Sequence, residues 1–183
     1  MLLPLLMLVP ALAAQGPGVP QPTFHDDLLD NLVGVWNLSG TLRGQPVHET
    51  VFAEWVLNHQ FLMIHRKQMD GPNEQFTYMG YDTVSDRYVV HRMDTTGGRA
   101  SEFLGYGLRT GDKIQFIFEY PTRPYRVTYG WDAKEKSWSV ITESKERAGW
   151  TPFANETLHP RSGPGGGPGG GPGGPGRGRG KQP

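Results

Sequence analysis

Three charged residues, Arg66, Arg92 and Glu102, have the chemistry to recognise a charged ligand. They fall in segments that read as half-buried strands, in which every second side chain faces the interior. A buried charge needs a partner, so they predict an internal Arg–Glu pair or an arginine that awaits a ligand carboxylate. Arginine binds a carboxylate through two parallel hydrogen bonds, which suits a fatty or other organic acid. A strand bulge that turns these groups outward is the alternative.

The assignment depends on which face of each strand is apolar. Arg92 shares its face with Tyr88 and Val90. In the predicted strand 100–108, Glu102 lies on the same face as four apolar residues, Ala100, Leu104, Tyr106 and Leu108. This pattern predicts that Glu102 faces the interior.

Two histidines, His65 and His91, lie in the middle of predicted strands. Inside a barrel they could ligate haem or a metal ion, whereas on the outside they would face solvent or make local hydrogen bonds. Zinc needs three or four convergent ligands, and at most two can be placed on neighbouring strands. We therefore predict no metal site and no resident cofactor.

No residue pattern predicts a catalytic centre. The sequence has no Gly-x-Ser-x-Gly nucleophile motif, and no spacing singles out a Ser–His–Asp set. It also has no cysteine, which excludes disulfides, thiolate metal sites and a cysteine nucleophile. The interpretation is a binding protein rather than an enzyme.

Aromatic residues recur on the apolar faces of the predicted strands. They could line a ligand cavity or simply pack a core. Those that we expect to contact a ligand in the barrel are Trp36, Trp55, Phe116 and Tyr129.

The segment from Leu32 to Leu42 organises the rest of the chain. Trp36, Leu38, Gly40 and Leu42 occupy alternate positions, which predicts one buried and one solvated face. A short helix should precede this strand, with Thr23 as its cap, Asp26 as the acidic partner of a capping box, and Gly34 as its stop.

About ten short strands follow one another, with turn residues every 8–12 positions. Consecutive hairpins without a long crossover favour an all-β, antiparallel up-and-down barrel over a Greek-key sandwich. Closing the sheet also removes the exposed strand edges that invite aggregation.

Composition divides the chain into four parts. Residues 1–14 are apolar and end in small residues, which predicts a cleaved signal peptide and a secreted or periplasmic, bacterial protein. Residues 15–22 read as a flexible leader, 23–160 as the barrel domain, and 161–183 as a disordered, basic Gly/Pro-rich tail. Four of the basic residues and none of the 18 acidic ones lie in this tail, so the body is mildly acidic. We therefore expect no nucleic-acid partner and no transmembrane span.

The motif Gly34-Val35-Trp36 at the head of the first strand resembles the lipocalin signature of the calycin superfamily. Over residues 23–159 the chain is most similar to a family of exported bacterial lipocalin-like domains of unknown function. Further matching segments are Leu32–Gly40, Trp55–Phe61, Met79–Asp82, Tyr88–Asp94, Trp150–Phe153 and Glu156–Leu158. The resemblance implies a barrel with an internal cavity.

We accordingly expect the barrel to bind a small apolar or amphipathic molecule, such as a carboxylate, without transforming it. Two alternatives stay open. One is a small-molecule isomerase or a haem-dependent detoxifying enzyme similar to nitrobindin, and the other is an envelope interaction module that acts through its basic tail. The residue pattern does not predict the oligomeric state.

Overall fold

The computed structural model describes residues 23–119 and 123–161, which form one short helix and ten strands. A single turn of 3₁₀-helix spans Gly98–Ser101. The elements are α1 (Asp27–Asp30), β1 (Gly34–Leu42), β2 (Gln45–Val56), β3 (Phe61–Gln68), β4 (Glu74–Asp82), β5 (Arg87–Asp94), β6 (Glu102–Thr110), β7 (Lys113–Phe118), β8 (Tyr125–Asp132), β9 (Ser137–Glu146) and β10 (Gly149–Pro160).

The strands form a closed, antiparallel up-and-down barrel, as predicted. Each strand pairs with the next, and β1 also pairs with β10, from Trp36 opposite Pro160 to Leu42 opposite Ala154. Every strand in the ring therefore has a neighbour on both sides, which leaves no open edge.

The helix closes one end of the barrel. Leu28, Leu29 and Leu32 are buried there, and the indole of Trp36 donates a hydrogen bond to the carbonyl of Leu32 at 2.8 Å. The Trp36 side chain is buried, as its place on the apolar face of β1 predicts. We call this the closed end and the opposite end the mouth.

The helix begins at a different cap from the predicted one. The side chain of Asp26, not Thr23, accepts the hydrogen bonds of the first turn, from the backbone N–H groups of Leu28 (2.9 Å) and Leu29 (2.8 Å). Thr23 is exposed. An aspartate is at least as good a cap as a threonine, and its second oxygen finds a further partner inside the barrel.

That partner is Tyr88, whose hydroxyl donates a hydrogen bond to Asp26 Oδ2. Arg109 reaches the same carboxylate at 3.4 Å and also binds Asp27. Burial, reinforced by the hydrogen bond to Asp26, raises the pKa of the Tyr88 phenol. The network fixes the helix to β5 and β6.

The inner face of β6 is the opposite of the predicted one. Leu104 and Leu108 are exposed on the outside, whereas Gly105 and Gly107 face the interior. A Cβ on Gly107 would lie 2.6 Å from the ring of Phe116 on β7, so the aromatic ring takes the place that a side chain on β6 would fill. The predicted strand 100–108 was therefore assigned the wrong face.

The predicted signal peptide, the leader and all of the tail after Arg161 lie outside the described residues. Within the described part, the helix and the strands run from Asp27 to Pro160. None of the helices in that part is long and apolar enough to cross a membrane.

Candidate functional site

A cavity of about 500 Å³ opens at the mouth of the barrel, at the end opposite the helix. Its lining is mixed in polarity and rich in charge. Among the described residues, the charged groups that line it are the carboxylates of Glu49, Glu74, Asp94 and Glu156 and the guanidinium groups of Arg43, Arg66 and Arg92.

One charged group in the lining of the cavity, Arg66, is held by two carboxylates. Its Nε donates to Glu49 Oε2 at 2.6 Å, while Nη1 and Nη2 donate to the two oxygens of Glu156 at 3.1 and 2.8 Å. The side chains of Arg66, Glu49 and Glu156 are only 15 %, 14 % and 4 % exposed. We call these three residues the Arg66 cluster.

Burial opposes the charged form of Arg66, but the charges of Glu156 and Glu49 outweigh it and raise the pKa of the guanidinium. The arginine is therefore permanently cationic. With both glutamates ionised, the cluster carries one more negative than positive charge.

The barrel brings the cluster together from three strands, β2, β3 and β10. Strand β1 lies between β2 and β10, and its residue next to Glu156 is Gly40. A Cβ at Gly40 would lie 2.2 Å from the carbonyl oxygen of Asn155, so only glycine allows this approach of β1 to β10. The bare backbone of Gly40 adds no side chain to the space between the two glutamates.

A second arginine, Arg92 on β5, lines the same cavity. Its Nη2 donates to Asp94 at 3.3 Å, and its guanidinium lies 5.3 Å from the ring centroid of Phe103. Its Nε is buried and has no hydrogen-bond partner within the described part of the chain. An Nε–H group can only donate, so this atom requires an acceptor.

Tyr125 on β8 supplies a second unsatisfied group. Its ring stacks on Phe118 at 4.6 Å and meets the edge of Phe103 at 5.8 Å, which fixes the position of the hydroxyl. That hydroxyl is buried and makes no hydrogen bond of good geometry with any described residue, although Arg92 lies close to it. Burial raises the pKa of Tyr125 to about 12, against the opposing effect of the nearby Arg92, so the phenol is a neutral donor at physiological pH.

Apolar side chains from β1, β6 and β10 complete the lining. Leu42, Phe103, Phe153 and Ala154 contribute this surface, and the guanidinium of Arg43 lies 5.7 Å from the centroid of the Phe153 ring. The cavity thus presents charged and hydrogen-bonding groups together with an apolar wall.

A much smaller space of about 20 Å³ is lined by Arg66 and Arg92 together with Phe116 and Tyr129. Both aromatic residues are buried in the core, and burial raises the pKa of Tyr129. Of the nine residues proposed from the sequence to contact a ligand, only Arg66 and Arg92 line the main cavity. Phe116 and Tyr129 border this smaller space.

The two predicted tryptophans lie at the closed end, away from the cavity. Trp36 packs edge-to-face against Trp131 at 6.4 Å. Trp55 donates to Asp30 at 2.8 Å and stacks on His59. They plug the barrel and anchor the helix.

His65, His91 and Glu102 lie on the outer surface. His65 stacks on Phe76 and bonds Glu74 at 2.6 Å, and His91 bonds Glu102 at 3.1 Å. The predicted inward position of Glu102 is wrong, because the face of β6 is reversed and its side chain is 64 % exposed. No histidine is among the residues that line the cavity in the described part of the chain, so the lining offers no imidazole as an axial ligand for haem.

The cavity lining also includes Glu49, Glu156 and Tyr125, which were not among the site residues predicted from the sequence. The alternation pattern contained a signal for both acids, since Glu49 shares a face with Val51 and Ala53, and Glu156 shares one with Ala154 and Leu158. No sequence pattern predicts the unpaired hydroxyl of Tyr125, because its state depends on the side chains that surround it in the folded barrel.

The described residues contain no group of three or more side chains placed to hold a metal ion. No protein-family model matches the chain, and no curated protein shows significant similarity to it.

Proposed function

We propose that the barrel binds a small amphipathic molecule at its mouth through a carboxylate or a similar oxygen acceptor. One observation carries the proposal: the buried Arg92 Nε–H and Tyr125 O–H make no well-formed hydrogen bond with any described residue, and both residues line the same cavity. An unpaired buried polar group costs about 1–3 kcal/mol, so a ligand oxygen that accepts from either donor recovers free energy. No step of chemistry is proposed for the ligand.

The remainder of the ligand is apolar or aromatic. Phe103 and Tyr125 present ring surfaces next to the donors, and Leu42 and Phe153 present apolar surface on other strands of the lining. Pockets of this kind combine apolar walls with a few polar groups that orient the ligand.

Two expectations from the sequence support the same proposal. The Gly34-Val35-Trp36 motif at the head of β1 resembles that of calycin barrels, which are containers for small molecules. The apolar residues 1–14 favour export, and an exported container meets small molecules outside the cytoplasm.

The test measures the affinity of the full chain for two amphipathic carboxylates, 3-phenylpropionate and indole-3-propionate, by titration calorimetry. We expect Arg92→Leu to weaken binding more than tenfold, because it removes the charge and the unpaired donor together. Arg87→Leu is the matched control, since Arg87 is on the same strand but lies over the outward-facing ring of Tyr106. Equal affinity of the two variants would overturn the proposal.

A further inference from the structure

The Arg66 cluster holds two carboxylates and one guanidinium. Arg66 engages both oxygens of Glu156 but a single oxygen of Glu49. Asp94 is already bonded to Arg92, and Arg43 lies against Phe153 on the first turn between strands at the mouth. The Arg66 cluster therefore keeps one carboxylate more than it has guanidinium groups, and no other described cation lies within salt-bridge distance of Glu49 or Glu156.

An uncompensated charge in such a position is costly, because the surrounding medium screens it poorly. A cation that enters the cavity would offset it. The unpaired Arg92 Nε–H on β5 has the opposite requirement. It can only donate a hydrogen bond, and it therefore requires an oxygen acceptor.

The carboxylates that favour a cation and the arginine that requires an acceptor belong to one continuous site. Arg66 and Arg92 both line the main cavity and the small space beside it. Glu49 and Glu156 lie on β2 and β10, whereas Arg92 and Tyr125 lie on β5 and β8, so the acidic and the donor groups come from different parts of the barrel wall. Tyr129 borders the small space together with Arg66 and Arg92.

We propose that the ligand is a zwitterion, an amino acid or a close derivative with an apolar side chain, whose carboxylate binds Arg92 and Tyr125 and whose ammonium group faces Glu49. This inference rests on the proposed function and names the class of its ligand. An ammonium group carries three donors and forms charge-assisted hydrogen bonds with a carboxylate. A simple carboxylate satisfies the donors but adds to the surplus of negative charge, so the zwitterion is preferred.

The experiment compares matched pairs of ligands on the full-length wild-type protein by titration calorimetry. The pairs are phenylalanine with 3-phenylpropionate, tryptophan with indole-3-propionate, and leucine with 4-methylpentanoate; 2-phenylethylamine supplies the ammonium group alone. We expect at least one amino acid to bind tenfold or more tightly than its carboxylate partner and than the amine. Equal or weaker binding of all three amino acids overturns the inference.

A variant tests the role of Glu49 directly. Glu49→Gln keeps an acceptor for Arg66 and removes the surplus charge, so the preference for the amino acid should fall at least tenfold. Glu102→Gln, on the outer surface, should leave it unchanged. An undiminished preference in a folded Glu49→Gln protein would rule out this position for the ammonium group.

The two proposals fail in different ways. If carboxylates bind in an Arg92-dependent manner but amino acids bind no better, the proposed function stands and the zwitterion is wrong. If a simple cation such as 2-phenylethylamine binds as tightly as the amino acid, and Arg92→Leu leaves the affinity unchanged, both proposals are wrong.

Discussion

Glu156 accepts two hydrogen bonds from Arg66, a residue 90 positions earlier in the chain. The pair connects β10 to β3 across the inner surfaces of β1 and β2. It therefore ties together the two ends of the sheet at the seam where the barrel closes. The same pair lines the cavity, so the stability of the barrel and the electrostatics of the site depend on the same atoms.

Replacing Arg66 by Met should destabilise the protein by about 3–5 kcal/mol, because it leaves the carboxylates of Glu49 and Glu156 buried without their cation. Urea unfolding followed by circular dichroism measures the loss. The triple variant Arg66→Met, Glu49→Gln, Glu156→Gln removes the opposing charges as well and should recover most of the stability. A triple variant as unstable as the single one would show that packing, not charge, dominates at this layer.

Replacing Tyr125 by Phe should raise stability and lower affinity together. The substitution removes a buried hydroxyl that makes no hydrogen bond and keeps the ring stacked on Phe118, so we expect a gain of about 1 kcal/mol in the free energy of unfolding. The affinity for 3-phenylpropionate should fall several-fold, since the ligand loses a donor. A purely structural role would instead lower stability and leave affinity unchanged.

The protein should lose stability at alkaline pH through its buried tyrosines. A tyrosine in the unfolded chain ionises near pH 10, whereas burial raises the pKa of Tyr125 to about 12 in the folded barrel. The folded state then binds more protons than the unfolded state between these values, so stability is intact below about pH 10 and declines up to about pH 12. Melting temperatures measured from pH 9 to 12 test this, and Tyr125→Phe should show a shallower decline.

At the closed end, Asp26→Ala should cost about 2–3 kcal/mol. The change removes the helix cap and leaves the buried hydroxyl of Tyr88 without its acceptor. Thr23→Ala is the control, because Thr23 is exposed and does not cap the helix, and it should change stability by less than about 0.5 kcal/mol. Ligand affinity should be the same in a folded Asp26→Ala protein, since the cavity lies at the other end. A large loss of stability in Thr23→Ala would instead support Thr23 as the helix cap, as predicted from the sequence.

On β6, Gly107→Ala should be more harmful than Leu108→Ala. A Cβ at Gly107 would meet the Phe116 ring at 2.6 Å and the Gln115 carbonyl at 2.7 Å, which predicts a cost of about 1–3 kcal/mol. Leu108 is 66 % exposed, so its truncation should cost little. Thermal unfolding of both variants decides the order, and the reverse order would place the apolar side chains of β6 inside.

The barrel could be predicted from the sequence because its signals are local. Alternation over Trp36, Leu38 and Gly40, together with the turn residues between hairpins, determines strands and their order without knowledge of any distant contact. The same alternation placed Arg92 on the face of Tyr88 and Val90. Strand pairing confirms the strands, and the cavity lining places both Arg92 and Arg66 on the inner side of the barrel.

The inner face of β6 and the hydrogen-bond partners of Arg66 could not be predicted in the same way. On β6 the larger residues point outward, since rings from β7 cover Gly105 and Gly107, and alternation alone assigns the larger residues to the core. The partners of Arg66 come from strands at opposite ends of the sequence, so only closure of the ring brings them together. The unpaired state of Tyr125 is a property of its surroundings rather than of its own segment.

Both ends of the described chain emerge at the closed end of the barrel. Phe24 packs there against Trp55 and Tyr88, and the backbone N–H of Arg161 donates to the carbonyl of Val35 at 3.0 Å. A tether attached to either end, whether a fused reporter, a solid support or a lipid surface, would therefore hold the molecule with its entrance directed away from the attachment point. Protein immobilised in this way should bind 3-phenylpropionate with the same affinity as protein in solution.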